Sequence, residues 1–136
     1  GVLGLGRIGT AVALRAKAFG FRVRFFDPFL PNGMDRALGI ERAESPEALM
    51  RGADVLSIHV PDTPATRGLV GAAALAALPE GAVVVNTARG TSLDLDALEA
   101  GLRSGRIAGA GLDVLPVEPP PEPVHPLLRA YRAREP

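Results

Sequence analysis

Gly1-Val-Leu-Gly4-Leu-Gly6-Arg-Ile-Gly9-Thr10 opens the chain: an apolar stub, three glycines spaced G-x-G-x-x-G, then a stretch rich in Ala and Leu. Each glycine has its own use in a strand-to-helix turn. Gly4 permits the tight turn. Gly6 lets the backbone approach a pyrophosphate with no side chain in the way, and Gly9 lets the new helix pack hard against the sheet. The free N–H groups at the helix start, with the helix dipole, then favour a phosphate. Glycine turns are common, so the triplet alone also fits an ordinary βα connection. The next apolar run, Phe21-Arg-Val-Arg-Phe-Phe26, ends in Asp27. A carboxylate there accepts hydrogen bonds from adenosine ribose hydroxyls and repels a 2′-phosphate, which favours NAD over NADP. The plainer alternative for Asp27 is a surface residue capping a loop.

The 136 residues suffice for one domain with a real core. Hydrophobic residues at 47% and charged residues at 22% are ordinary for a globular protein. A net charge of zero gives no reason to expect nucleic acid or an anionic membrane as a partner. With no cysteine, disulfides, thiolate catalysis and Cys-based metal sites are excluded, and no residue set points to a metal. No apolar stretch is long enough to cross a bilayer and no signal peptide is visible, so the expected location is cytoplasmic. The first strand is short, and the polar residues 131–136 lack an evident closing element, as expected of a piece of a longer protein.

Strand and helix patterns alternate along the chain. Residues 10–19 read as a helix stopped by Gly20, residues 22–26 as a strand, and residues 31–33 as a turn. A short helix over 35–38 and a short strand over 39–42 follow, then a helix over 45–50 with a Ser cap and Pro at its first position. Residues 54–60 read as a strand, 66–70 as one helical turn and 72–78 as a helix. Residues 82–86 form an apolar strand of the kind buried on both faces. Asp94 caps a helix running to Arg103, and the last strand spans 107–114 before a proline-rich stretch over 116–126. Glu41, Glu44 and Glu47 read as a solvated face. The expected fold is α/β: a Rossmann-type doubly wound parallel sheet in three layers, α/β/α, with right-handed crossovers. Ligands in such sheets sit at the carboxyl ends of the strands. Attention therefore falls on residues 4–9, Asp27 and residues 60–66, 86–90 and 113–118.

Asn86-Thr-Ala-Arg89-Gly90 follows the buried strand directly. An arginine at a strand's carboxyl end, in the crevice of a nucleotide domain, can clamp a carboxylate with its planar fork and stays charged at any relevant pH. Arg89 could instead tie two loops together through backbone carbonyls. Asp113 and Glu118 follow the next strand, and a carboxylate held there by prolines can orient a histidine and raise its basicity. Taken singly, Asp113 could be a turn residue and Glu118 a solvated loop residue.

These motifs, with Ser104-Gly-Arg-Ile-Ala-Gly109, Leu112-Asp-Val114 and Glu118-Pro119, together resemble the D-isomer-specific 2-hydroxyacid dehydrogenases. Ala13-Leu-Arg-Ala-Lys-Ala-Phe-Gly-Phe21, Phe26-Asp-Pro-Phe-Leu30 and Arg36-Ala-Leu-Gly39 are similar to the branch of that family containing the C-terminal-binding proteins. The resemblance implies that residues 1–136 are an NAD-binding domain, inserted in the whole protein within a separate substrate domain. It implies that Gly4, Leu5, Gly6, Arg7, Ile8 and Gly9 hold the pyrophosphate of NAD and that Asp27 binds the adenosine ribose. Val60, Pro61 and Thr66 would line the adenine and ribose side. Thr87, Ala88 and Asp113 would surround the nicotinamide. Arg89 would line the coenzyme site and bind the substrate carboxylate, and Glu118 would pair with a catalytic histidine. The expected partner is a small 2-hydroxy or 2-keto acid, and the expected assembly a homodimer built through this domain.

That histidine sits, in the family, in a Thr-Pro-His segment that would fall beyond Pro136. His59, inside a strand, and His125, in a loop, read as structural, so this chain alone is expected to bind coenzyme without turnover. The chain departs from the family pattern at Asp62, where Leu is usual, and at Thr91-Ser92, where Gly and an apolar residue are commoner. A rival reading is an NAD(H)-sensing regulator of co-repressor type that acts through partner binding. A third, the NAD domain of adenosylhomocysteine hydrolases, is opposed by Arg89 together with Glu118.

Overall fold

The computed structural model describes residues 1–133. The elements run β1 (Val2–Leu3), α1 (Arg7–Ala18), β2 (Arg24–Phe26), α2 (Met34–Leu38), β3 (Glu41–Arg42), α3 (Pro46–Met50), β4 (Val55–Ile58), α4 (Ala72–Ala77), β5 (Ala82–Asn86), α5 (Leu95–Arg103), β6 (Ile107–Leu112) and α6 (Pro126–Ala133). The sheet has the order β3-β2-β1-β4-β5-β6, and every pairing is parallel. Strand order reverses between β1 and β4, so a topological switch point lies where the glycine triplet leaves β1.

Period-2 alternation assigns the side chains to two apolar layers. Val2, Leu5, Val23, Phe25 and Ile40 pack with Ala13 of α1 on one face. Leu3, Leu56, Ile58 and Val84 pack on the other with Leu49 of α3, Leu75 of α4 and Leu98 of α5. The three-layer α/β/α expectation is met. Two side-chain caps fix helix starts: Ser45 Oγ accepts from Ala48 N at 3.1 Å and Asp94 Oδ1 from Ala97 N at 3.1 Å.

Several local expectations need correction. Helix α1 starts at Arg7 rather than residue 10, because Gly6 itself serves as the N-cap. Strand β2 starts at Arg24, because Gly20 at φ +89° turns the chain and Phe21 N still bonds back to Ala16 O. Residues 66–70 form a turn and an isolated bridge, Val70 with Leu93, instead of a helical turn. β5 is not buried on both faces: Ala82, Val84 and Asn86 are buried, while Val83 and Val85 are only half-buried. Their register partners on β6 are Gly109 and Gly111, which offer no side chain to cover them. β6 ends at Leu112 rather than residue 114. Glu41, Glu44 and Glu47 are exposed, as expected of a solvated face, and Glu41 Oε1 also receives Arg24 Nε at 2.9 Å. Helix α6 was not expected. Pro126 stands at its first position, and its cap is a histidine ring: Leu127 N donates to His125 Nδ1 at 3.1 Å.

Candidate active site

The glycine loop is shaped by close approach. Gly4 adopts φ +88°, and a Cβ there would lie 2.9 Å from the carbonyl of His59. A Cβ on Gly9 would sit 2.1 Å from Gly4 O, so only glycine lets the first turn of α1 rest on the strand end. Gly6 is different: a Cβ there would meet nothing within 4 Å. The space beside it is open, and Gly6, Arg7 and Ile8 are exposed. No side chain caps α1, and its first turn carries no acidic residue. A helix start that opens on Arg7, with no capping side chain and no acidic residue, beside open space fits an anionic diphosphate.

Asp27 ties the strand ends together. Its Oδ2 accepts from Leu5 N at 2.9 Å, and its Oδ1 accepts from Phe29 N at 3.0 Å. The carboxylate thus stands at the glycine loop, half-buried, with lone pairs left for ribose hydroxyls.

Past β4, Val60 is buried and Pro61 exposed. Thr66 folds the loop on itself: its Oγ1 accepts from Thr63 N at 2.9 Å and donates to Pro61 O at 2.5 Å. Asp62 reaches the neighbouring loop, accepting from Thr91 Oγ1 at 3.0 Å and from Arg67 Nε at 2.8 Å. The Arg67 guanidinium, first among the causes, holds the Asp62 carboxyl below the usual carboxylate range; Thr91 and the charge of Arg89 add to it. Asp62 and Thr91, two of the three residues that depart from the pattern the sequence resembles, therefore meet.

Past β5, Asn86 is the organiser. It is buried, its Nδ2 donates to Arg89 O at 3.0 Å, and its Oδ1 accepts from Ala88 N at 3.0 Å. Ser92, also buried, donates to the same Arg89 carbonyl at 2.7 Å. These bonds satisfy backbone groups that a buried turn would otherwise orphan. Thr87 and Arg89 are left exposed, with Ala88 half-buried between them. Arg89 Nη1 donates to Ala88 O at 2.7 Å, so the guanidinium rests on its own loop. Gly90 brings the next loop close: a Cβ on it would lie 2.0 Å from the carbonyl carbon of Leu115.

Past β6, Asp113 is exposed, and its N–H continues the ladder to Asn86 O at 3.0 Å. Glu118 Oε1 accepts from Leu115 N at 2.6 Å. Asp113 and Glu118 line a groove of about 870 Å³ between β6 and α6, with Leu112, Leu127 and Tyr131. Arg89, Asp113 and Glu118 thus stand on adjacent loops, joined through the Gly90–Leu115 approach, while Arg89 and Glu118 each bond to their own backbone.

Both histidines are engaged elsewhere. β4 ends at Ile58, so His59 stands just past the strand rather than inside it; its Nε2 lies 2.8 Å from Ser57 Oγ, and burial lowers its pKa below the ordinary 6.5. Since His125 Nδ1 accepts from Leu127 N, its Nε2 carries the proton and donates to Asp96 Oδ1 at 2.9 Å. Asp96, Glu99 and His125 place their ligand atoms within 4.8 Å of one another. The proton on His125 Nε2 occupies the position a metal would need. The sequence pattern assigns no role to Asn86 or Ser92; a polar residue ending a buried strand is the signal that marks Asn86.

The chain matches the family "D-isomer specific 2-hydroxyacid dehydrogenase, NAD binding domain" over residues 1–133. It is 42% identical over 128 residues to a D-3-phosphoglycerate dehydrogenase of Methanocaldococcus jannaschii, covering 94% of this chain and 24% of that protein. It is 42% identical over 114 residues to C-terminal-binding protein 1 of Caenorhabditis elegans, covering 84% of this chain and 16% of that protein. A D-isomer specific 2-hydroxyacid dehydrogenase from Xanthobacter autotrophicus Py2, solved in complex with NADPH and MES, superposes with a TM-score of 0.83 at 42% identity, covering 93% of this chain and 39% of that one. The chain spans a quarter or less of the length of these two relatives. The parallel sheet, the glycine loop at its switch point and these matches agree: the chain belongs to the D-isomer-specific 2-hydroxyacid dehydrogenase family, as its nicotinamide-dinucleotide-binding domain.

Proposed function

We propose that this domain seats NAD(H) in a protein that moves a hydride between the coenzyme and a D-2-hydroxy acid or its 2-keto partner. The observation that carries the reading is the Gly90–Leu115 approach, which holds the loop of Arg89 against the loop of Glu118 at the carboxyl ends of adjacent strands. The glycine loop takes the pyrophosphate on the N–H groups that open α1, and Asp27 takes the ribose hydroxyls. Val60, Pro61 and Thr66 line the adenosine side. Thr87, Ala88 and Asp113 flank the nicotinamide.

When bound, the coenzyme supplies the hydride acceptor or donor at its ring. The chain's own residues do the rest. Arg89 swings off Ala88 O to hold the substrate carboxylate in a two-point grip, which fixes the reacting carbon and stabilises charge on the substrate oxygen. Glu118 leaves Leu115 N to orient a histidine base contributed from beyond this chain, since His59 and His125 are committed to Ser57 and Asp96. In this reading residues 1–136 alone bind coenzyme without turnover.

A second copy of the chain is the expected partner, and Phe19 and Phe21, 84% and 59% exposed, offer apolar surface for it. Among the described residues no helix is long and apolar enough to cross a membrane, and we assign the protein to the cytoplasm.

The test has two arms. Fluorescence titration of this chain, which has no tryptophan, should show saturable NADH binding. The whole protein should turn over at least one acid from a panel of 2-keto acids. Binding without turnover of any acid would favour the NAD(H)-sensing regulator, and no binding would refute both.

A further inference from the structure

Arg42 closes β3 and belongs to none of the loops assigned above. Its guanidinium reaches across to the loop that follows β2. Nη1 and Nη2 each donate to Leu30 O at 3.2 Å, and Nη2 also donates to Pro31 O at 2.7 Å. The guanidinium carbon lies 5.3 Å from the ring centroid of Phe25, which is also its register partner on β2. The remaining donor, Nε, is buried and has no hydrogen-bond partner among the described residues.

A buried, unpaired donor on a charged group is costly, and a shorter or apolar side chain would avoid it. What an arginine gains here is a planar fork that grips two successive carbonyls at once, over an aromatic face. Apart from the Leu30 side chain, which packs against the layer of Val2, Leu5 and Phe25, the gripped loop has few other restraints. Pro28, Phe29 and Pro31 are exposed, and Phe29 is 91% so. Yet Phe29 N is the group that holds Asp27 Oδ1, and Leu5 N of the glycine loop holds Oδ2. The connection therefore runs from the Arg42 fork through Leu30 and Phe29 to the carboxylate of Asp27.

We propose that Arg42 is a positioning residue for the adenosine end of the coenzyme. It fixes the loop that aims Asp27, and thereby sets the preference for a ribose with free hydroxyls over one bearing a 2′-phosphate. The inference rests on the role assigned to Asp27 under the proposed function. A carboxylate in one fixed position both receives the ribose hydroxyls and repels the phosphate; a carboxylate on a loosened loop does neither well.

The experiment is fluorescence titration of this chain with NADH and with NADPH, alongside thermal unfolding of the same samples. Arg42→Met keeps an unbranched stem over Phe25 and removes the fork. It should raise the NADH Kd about tenfold and change the NADPH Kd by less than about twofold, so that discrimination between the two falls. Arg42→Lys, which reaches one carbonyl but not two, should fall between wild type and Arg42→Met. It carries the test if Arg42→Met does not fold. Equal weakening of both coenzymes would make Arg42 merely structural and overturn the proposal, as would an unchanged NADH Kd in a folded variant. If wild type binds NADH and Arg42→Met binds it equally well, the role of Arg42 fails and the coenzyme site stands. If wild type binds neither dinucleotide, both fail.

Discussion

Gly6 and Gly9 lie three residues apart in one loop, yet the structure assigns them opposite sensitivities. At Gly6 the backbone has φ −71° and ψ −162°, which an L-residue adopts freely, and an added methyl would touch nothing within 4 Å. Gly6→Ala should therefore leave folding stability within about 1 kcal/mol of wild type, the balance of lost unfolded-chain entropy against a poorer N-cap. The same methyl would stand in the space assigned to the pyrophosphate. Displacing the phosphate from even one charged hydrogen bond costs about 1.5–3 kcal/mol, so the NADH Kd should rise roughly 10- to 150-fold. At Gly9 the added Cβ would lie 2.1 Å from Gly4 O, which is backbone and cannot swing away. Overpacking of this kind costs about 1–3 kcal/mol, and a contact so short belongs at the upper end. Gly9→Ala should lower Tm by roughly 10 °C and weaken NADH binding as well. Urea and thermal unfolding followed by circular dichroism, paired with NADH titration, separates the two. Wild-type affinity in a folded Gly6→Ala would refute the placement of the pyrophosphate, and unchanged stability in Gly9→Ala would refute the packing argument.

Asp27→Ala should weaken NADH binding and narrow the gap to NADPH; unchanged titrations for both coenzymes would remove Asp27 from the ribose. Asn86→Ala would leave Ala88 N without its partner, while Ser92 still holds Arg89 O, and should cost about 1–3 kcal/mol in urea unfolding, with kcat/KM of the whole protein falling as well. In the whole protein, Arg89→Ala should lower kcat/KM by at least roughly 100-fold with little change in NADH Kd, and near-normal turnover would exclude the carboxylate clamp. Burial depresses the pKa of His59, so the fold favours its neutral form. The stability this contributes is complete above the unfolded value near 6.5 and is lost as pH falls toward the lower native value. His59→Gln should flatten that part of the pH–stability profile, and an unaltered slope would show that His59 does not report on folding.

The parts of this molecule written locally in the sequence were legible. The glycine triplet, the Ser45 and Asp94 caps and the strand over Ala82–Asn86 each depend on neighbours within a few residues, and each stands where the pattern put it. The misses have non-local causes. Helix α6 is capped by a histidine ring, an uncommon N-cap, whose other nitrogen is engaged by Asp96, 29 residues away; its one local signal, Pro126 at the first position, merges with the proline-rich stretch before it. The half-burial of Val83 and Val85 depends on glycines in the partner strand. Arg42 read as one residue of a short strand, because its work is done on a loop 11 and 12 residues back along the chain. In the site, residue identity and order announced which side chains cluster. That Arg89 and Glu118 each bond to their own loops could be seen only in three dimensions.

The central claim is that the coenzyme lies across the strand ends with its nicotinamide facing Arg89. A crystal structure of this chain grown with saturating NADH tests it most directly. It should show pyrophosphate oxygens within hydrogen-bond distance of the Arg7 and Ile8 amides, the adenosine ribose on Asp27, and the nicotinamide ring between Thr87 and Asp113. A dinucleotide bound elsewhere, or none at saturation, would contradict it.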